Sequence, residues 1–91
     1  MNKTRRTVLS KKVTELETLK SQLESIKENI EEVHDDEEEA YDNLPDGIQD
    51  SERGETMQEN IDSLDDAYSN LDDIISNLDD VIDTLNEVIE R

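Results

Sequence analysis

The residues in this chain that could do chemistry are overwhelmingly carboxylates, and they recur in a pattern. Asp65-Asp66, Asp72-Asp73 and Asp79-Asp80 are doublets repeated every seven residues, and Asp35-Asp36-Glu37-Glu38-Glu39 is an unbroken acidic run. Paired carboxylates can act as general acid and base, but only where an apolar pocket drives their pKa values apart. Doublets repeated along a polar face offer no such pocket. Nucleophilic chemistry lacks its parts too: there is no cysteine, no glycine-rich phosphate loop, and no serine with a base at a recognisable spacing. His34 is the single histidine and borders the acidic run, where a solvated surface imidazole is expected rather than a metal ligand. The segment from Asp42 to Arg53 has Asp at loop positions 1 and 5 and Gly at 6, but Leu44 at 3 and Arg53 at 12. That fails the EF-hand pattern, which needs oxygen ligands at positions 3 and 12. No enzyme activity, cofactor or dedicated metal centre is expected. What remains is the chemistry of a fixed negative surface.

The doublets must be positioned by a helix. Ile61, Tyr68, Ile75, Ile82 and Ile89 recur every seven residues, with Leu64, Leu71, Leu78 and Leu85 three places later. In a heptad written abcdefg these are positions a and d, the seam of an under-wound α-helix. Ala67, Ile74, Val81 and Val88 add apolar residues at g, and the Asp doublets fall at e and f. One helix therefore carries a broad apolar face and a ladder of carboxylates, with a rung every ~10.5 Å at 1.5 Å per residue. A second seam is read near the start: Leu9, Leu16, Leu23 and Ile30 at a, with Leu19, Ile26 and Val33 at d and Lys12 filling the first d position. Glu37 falls on a within the acidic run, so that turn is expected to be the loosest part of the first helix.

Between the two patterns lies a turn. Pro45 ends the first helix by pushing the preceding residue out of the α region. Pro45-Asp46-Gly47 is a turn signal, with proline pre-set for an early turn position and glycine free to take positive φ. Asp50 or Ser51 is a natural N-cap for the second helix, and Thr56 an alternative one. Ser51 is preferred because it sets Gly54 on position a, where a missing side chain lets the chain fold back closely. The expected organisation is a basic flexible arm over residues 1–7 and a single helical domain over 8–91. Within it the first helix covers about 8–43, the turn 44–50 and the second helix about 51–91. Two helices of similar length joined by a short connection form an antiparallel hairpin. The fold class is all-α. The excess apolar surface at g predicts dimerisation into a four-helix bundle, with Ile74, Val81, Val88, Ile75, Ile82, Leu78 and Leu85 at the oligomer interface.

Composition limits the partners. The chain has 91 residues, of which 31% are hydrophobic and 40% charged, too few apolar groups for a sizeable globular core. Its formal net charge of −18 is unevenly spread: +3 over residues 1–30, −10 over 31–50 and −11 over 51–91. Such a chain repels nucleic acid and anionic membranes, so neither is expected to bind directly, and it favours basic partners. The basic residues Lys3, Arg5, Arg6, Lys11 and Lys12 are expected beside the negative C-terminal end of the second helix, near Glu87 and Glu90. Acidity with few aromatics also accompanies disorder, but a disordered tail has no reason to keep a heptad. No apolar leader follows the first residues and no run reaches membrane-spanning length, so a cytoplasmic location is expected.

The linker Asn43-Leu44-Pro45-Asp46-Gly47-Ile48-Gln49-Asp50-Ser51-Glu52-Arg53-Gly54-Glu55, followed by Ile61-Asp62-Ser63-Leu64, resembles short acidic helical proteins of phages and mobile elements of Gram-positive bacteria. The resemblance covers roughly residues 37–82 and brings no catalytic residue with it. It implies a mobile-element setting, in which small acidic proteins act as inhibitors or accessory binders. Two functions are consistent with these features. In one, Asp65, Asp66, Asp72, Asp73, Asp79 and Asp80, with Asp35 to Glu39 as a second patch, imitate a nucleic-acid backbone. They would then occupy the basic groove of a host protein that binds nucleic acid, in the host cytoplasm. In the other, the chain is a homo-oligomeric coiled-coil adaptor whose acids only keep it in solution.

Overall fold

Leu, Glu and Lys favour a helix in the first segment, whereas the second is rich in Asp, Asn and β-branched residues and owes its helix to its buried heptad face. In the computed structural model, which describes all 91 residues, α1 spans Lys3–Asp42 and α3 spans Glu52–Glu90, with a short α2 at Asp46–Gln49 between them. Asn2 caps α1 by accepting a hydrogen bond from the Arg5 amide at 2.9 Å. The helix thus begins at Lys3, and the basic arm expected over residues 1–7 is helical from its third residue. Neither does the acidic run interrupt it: α1 is continuous through Asp35 to Glu39. Glu37 is half-buried there and accepts a hydrogen bond from Asn60 Nδ2 at 2.9 Å, which gives this inward acid a partner.

The turn is tighter and more helical than a proline–glycine signal implies. The amides of Ile48 and Gln49 both donate to the Pro45 carbonyl, closing α2 directly behind the proline. Gly47 lies within α2, and no glycine takes positive φ. Gln49 Nε2 donates to the Tyr41 carbonyl at 3.1 Å and ties the turn to the end of α1. Ser51 caps α3, its Oγ accepting from the Gly54 amide, while Glu52 and Glu55 occupy the favourable first turn. Gly54 is buried, as its position at a requires. What presses on it is not α1, however, but the Gln49 carbonyl group, whose carbon would lie 2.6 Å from a Cβ added at residue 54 and whose oxygen would lie closer still.

The two long helices lie antiparallel in a rod with Cα extents of 69 × 14 × 14 Å. Its radius of gyration is 20.3 Å, where a compact domain of this length would have roughly 12 Å. The core is correspondingly thin. Val13, Ile61, Ile75 and Ile82 are its only buried side chains, and Leu9, Leu16, Leu23, Ile30, Leu64, Leu71, Leu78 and Leu85 flank them half-buried. Ile75 and Ile82 are thus consumed within the hairpin, and of the seven expected interface residues only Ile74 and Val81 are exposed, each about half.

On α1 the seam differs from the expected one. Leu9, Leu16, Leu23 and Ile30 do face α3, but their companions are Val13, Lys20, Lys27, His34 and Tyr41, four residues later rather than three. Leu19, Ile26 and Val33 point outward, at 44%, 48% and 55% exposure. The physical reason lies in α3. A lysine can lay its methylenes along an apolar seam while its ammonium reaches the rim, and the rim here is the Asp ladder.

Candidate functional site

Three cross-helix pairs organise the acidic ladder. Lys20 Nζ approaches Asp79 Oδ1 at 2.5 Å, Lys27 Nζ approaches Asp72 Oδ1 at 2.7 Å, and His34 Nε2 stands 2.9 Å from Asp65 Oδ1. Donors and acceptors each step by seven residues, so antiparallel helices carry them past one another in register. The first acid of every doublet is therefore engaged inside the hairpin. The second, Asp66, Asp73 or Asp80, is exposed and has no cation within pairing distance.

Each cation is held by more than one group. Lys20 also lies 3.9 Å from Glu24, and the hydrogen bond to Asp79 raises its pKa above the usual lysine value. The Lys27 ammonium sits 4.9 Å from the centroid of the Tyr68 ring, a cation–π contact that adds to its hydrogen bond with Asp72. That hydrogen bond likewise raises the Lys27 pKa. Lys27, Tyr68 and Asp72 line an open groove together with Glu24, Glu28 and Glu31. Its walls are charged and open to water, so they supply no enclosure that would tune a carboxylate for proton transfer.

His34 is the largest departure from the sequence reading. It is not a solvated surface imidazole: its ring is wedged between the helices and only 15% exposed. Nδ1 lies 3.0 Å from Asp35 Oδ1 and 3.8 Å from Glu38 Oε2, while Nε2 faces Asp65. The Nε2 contact is one of charge and proximity, without the alignment of a hydrogen bond. Ligand-capable atoms of His34, Asp35 and Glu38 lie within 4.8 Å of one another. The three acids around the ring are accounted for by a protonated imidazole. The bond to Asp35, reinforced by the charges of Asp65 and Glu38, holds the His34 pKa above its ordinary 6.5 despite partial burial.

The sign of the resulting pH dependence follows from linkage. A pKa raised on folding stabilises the protein fully below the unfolded value of 6.5, and that contribution is lost as pH rises through the folded pKa. We expect the parent to melt above His34→Gln at pH 6, with the gap narrowing by pH 8. The imidazole midpoint, followed by NMR, should lie above 6.5. A midpoint at or below that value would contradict the wedged, acid-flanked ring.

Of the acidic patch, Asp35 and Glu38 serve His34, Glu37 faces α3, and Asp36 and Glu39 are exposed. The basic N-terminal residues do not pair with Glu87 or Glu90. Arg91 reaches Glu87 at 4.0 Å, and Lys12 pairs with Glu15 on its own helix. Only Arg6 among them is half-buried, and its Nε is covered without a hydrogen-bond partner. No helix is long and apolar enough to cross a membrane. No protein-family model matches the chain, and comparison with curated proteins and with solved structures returns no match.

Lys20, Lys27, His34 and Tyr68 escaped the sequence reading, although a signal was present. Three cations spaced by seven in one helix match three carboxylates spaced by seven in the other. An apolar seam through Leu19, Ile26 and Val33 leaves Lys20, Lys27 and His34 off the interface and hides the match.

Proposed function

We propose that the chain is a non-enzymatic acidic binding protein that imitates nucleic acid and occludes the basic groove of a host protein. The observation that carries this reading is linear charge. Eighteen net negative charges spread over 69 Å amount to one per about 3.8 Å, close to the 3.4 Å spacing along one DNA strand. A groove that releases counterions on binding nucleic acid releases them for a straight anionic rod as well. Asp66, Asp73 and Asp80 make the contacts, with Asp36 and Glu39 as a second set. Asp65, Asp72 and Asp79 hold the rod in shape. The linker's resemblance supplies a setting: a phage or mobile-element product that inhibits a nucleic-acid-binding defence protein in the host cytoplasm. Two copies act together as a four-helix bundle. Neither direct nucleic-acid binding nor membrane binding belongs to this function, since like charge opposes both.

A second reading is supported by the exposed Leu19, Ile26, Val33, Ile74 and Val81, which a purely electrostatic decoy does not need. There the chain is a structural adaptor that assembles through its apolar flank. The two separate on one experiment. The chain is immobilised, a bacterial lysate is passed over it at low salt, and retained protein is challenged with excess duplex DNA. The decoy predicts release by DNA and by salt, and loss of capture when Asp66, Asp73 and Asp80 are all changed to Asn. Asp and Asn have similar helix propensity, so the fold survives that change. Full retention by the triple variant would rule the decoy out.

A further inference from the structure

One flank of the rod is almost free of charge, in a chain where 40% of residues are charged. The ion-pair rungs fix which flank it is. Glu24, Glu28 and Glu31 line the same groove as Asp72, so the acids of both helices share one side of the seam. Leu19, Ile26 and Val33 on α1 lie on the other side, as do Ala67, Ile74, Val81 and Val88 on α3. In each ion pair the residue numbers sum to 99, which brings Leu19 within one residue of level with Val81, and likewise Ile26 with Ile74 and Val33 with Ala67. The stripe is thus two helices wide. Its outer borders are neutral as well: Gln22 and Asn29 on α1, and Ser63, Asn70, Asn77 and Thr84 on α3.

We propose that this flank is the docking face for a second copy of the chain, the two hairpins lying side by side with opposite polarity. A basic partner would gain nothing from a surface without acids. A strongly acidic one can approach only where charge is absent, and a second copy presents the same apolar stripe. Opposite polarity follows from the charge gradient. The stripe is centred on Ile26 and Ile74, close to the midpoint of the rod. A two-fold axis there sets the basic residues Lys11 and Lys12 of one copy beside the acidic stretch from Asp36 to Glu39 of the second copy. Like polarity would stack acid on acid. From Ala67 to Val88 the face is about 32 Å long at 1.5 Å per residue and one hairpin, 14 Å, wide. It offers on the order of 450 Å² per copy and 900 Å² in all, the size of a weak, transient interface. A dimer that dissociates at micromolar concentration is the expected result. For the decoy reading, on which this last consequence rests, pairing doubles the charge over the same length. One net charge then falls per about 1.9 Å, near the 1.7 Å of duplex DNA, which makes a duplex-binding groove the target class.

Sedimentation of the purified chain tests the docking face without any nucleic acid or partner present, so its outcome is independent of the decoy. The parent is expected as a dimer of twice 10.5 kDa at tens of micromolar. Ile26→Ser with Ile74→Ser should weaken it at least tenfold. Both side chains are exposed in the hairpin, so the helical circular dichroism of the dilute variant should match the parent's. A spin label at Thr4→Cys reads polarity: opposite polarity separates the two labels by more than about 50 Å, like polarity by far less. A monomer throughout the micromolar range overturns the proposal, and so does a dimer indifferent to the double Ser variant. A short label distance overturns the polarity.

Discussion

Gly54→Ala should lower the melting temperature by about 12–24 °C, the largest effect of any single methyl group in the chain. A Cβ at residue 54 would collide with the Gln49 carbonyl oxygen and stand 2.6 Å from its carbon. These are backbone atoms of the turn, so no side chain can swing aside to relieve the clash. Either α2 shifts, breaking the hydrogen bond from Gln49 to the Tyr41 carbonyl, or α3 starts later and loses its Ser51 cap. Overpacking costs roughly 1–3 kcal/mol, and a rigid backbone contact belongs at the upper end. Each kcal/mol moves the melting point of a domain this size by about 4–8 °C. Gly47 provides the control. It lies in α2, and a Cβ added there would meet nothing within 4 Å, so Gly47→Ala is neutral or stabilising by about 0.5–1 kcal/mol. Circular dichroism melts of the two variants decide the matter. Equal midpoints would mean that the turn does not depend on close approach at Gly54.

The seam yields the second large effect. Ile75 is 8% exposed and its neighbour Ile74 is 50% exposed. Truncating a buried isoleucine to alanine costs about 2–5 kcal/mol, depending on how far the site can collapse. A two-helix rod collapses readily, which puts Ile75→Ala near about 2–3 kcal/mol, with Ile74→Ala at no more than about 1 kcal/mol in the monomer. Ile82 sits one turn of the repeat away, about 10.5 Å along the axis, far enough for the losses to add. The double variant Ile75→Ala, Ile82→Ala then forfeits about 4–6 kcal/mol, comparable with the whole stability of many small domains. It is expected to show little helical signal at 25 °C. A double variant that melts within a few degrees of the parent would mean that the core lies elsewhere.

The helices, their antiparallel pairing and the Ser51 cap could all be read from the residues, because heptad spacing and capping are local signals. The α3 seam was unambiguous, since every a and d position there is apolar or aromatic from Ile61 to Ile89. On α1 the same rules misled. Leu9, Leu16, Leu23 and Ile30 accept either of two companion sets, and hydrophobicity favoured Leu19, Ile26 and Val33. The helix instead turns Lys20, Lys27 and His34 inward, because Asp79, Asp72 and Asp65 wait across the seam. That choice depends on the opposite helix, which periodicity within one segment cannot see. The acidic ladder was likewise visible as a pattern, but its division into engaged and free carboxylates was not, for it arises only when the two helices meet.

The three ion-pair rungs also remove an ambiguity that any heptad hairpin carries. A seam that repeats every seven residues matches itself after sliding by seven, so its apolar contacts alone do not choose among several alignments. Beyond the rungs the same two rows continue with uncharged partners, Val13 toward Asn86 at one end and Tyr41 toward Gln58 at the other. Sliding α3 one repeat in the first direction would leave Lys20 facing Asn86 and set Asp65 against Tyr41. Sliding it the other way would leave His34 facing Gln58 and set Asp79 against Val13. Either displacement strands one cation and presses one carboxylate onto an apolar or aromatic neighbour. The rows behave as a three-tooth key with blank ends, so the hairpin has one phase even where its greasy seam would tolerate several.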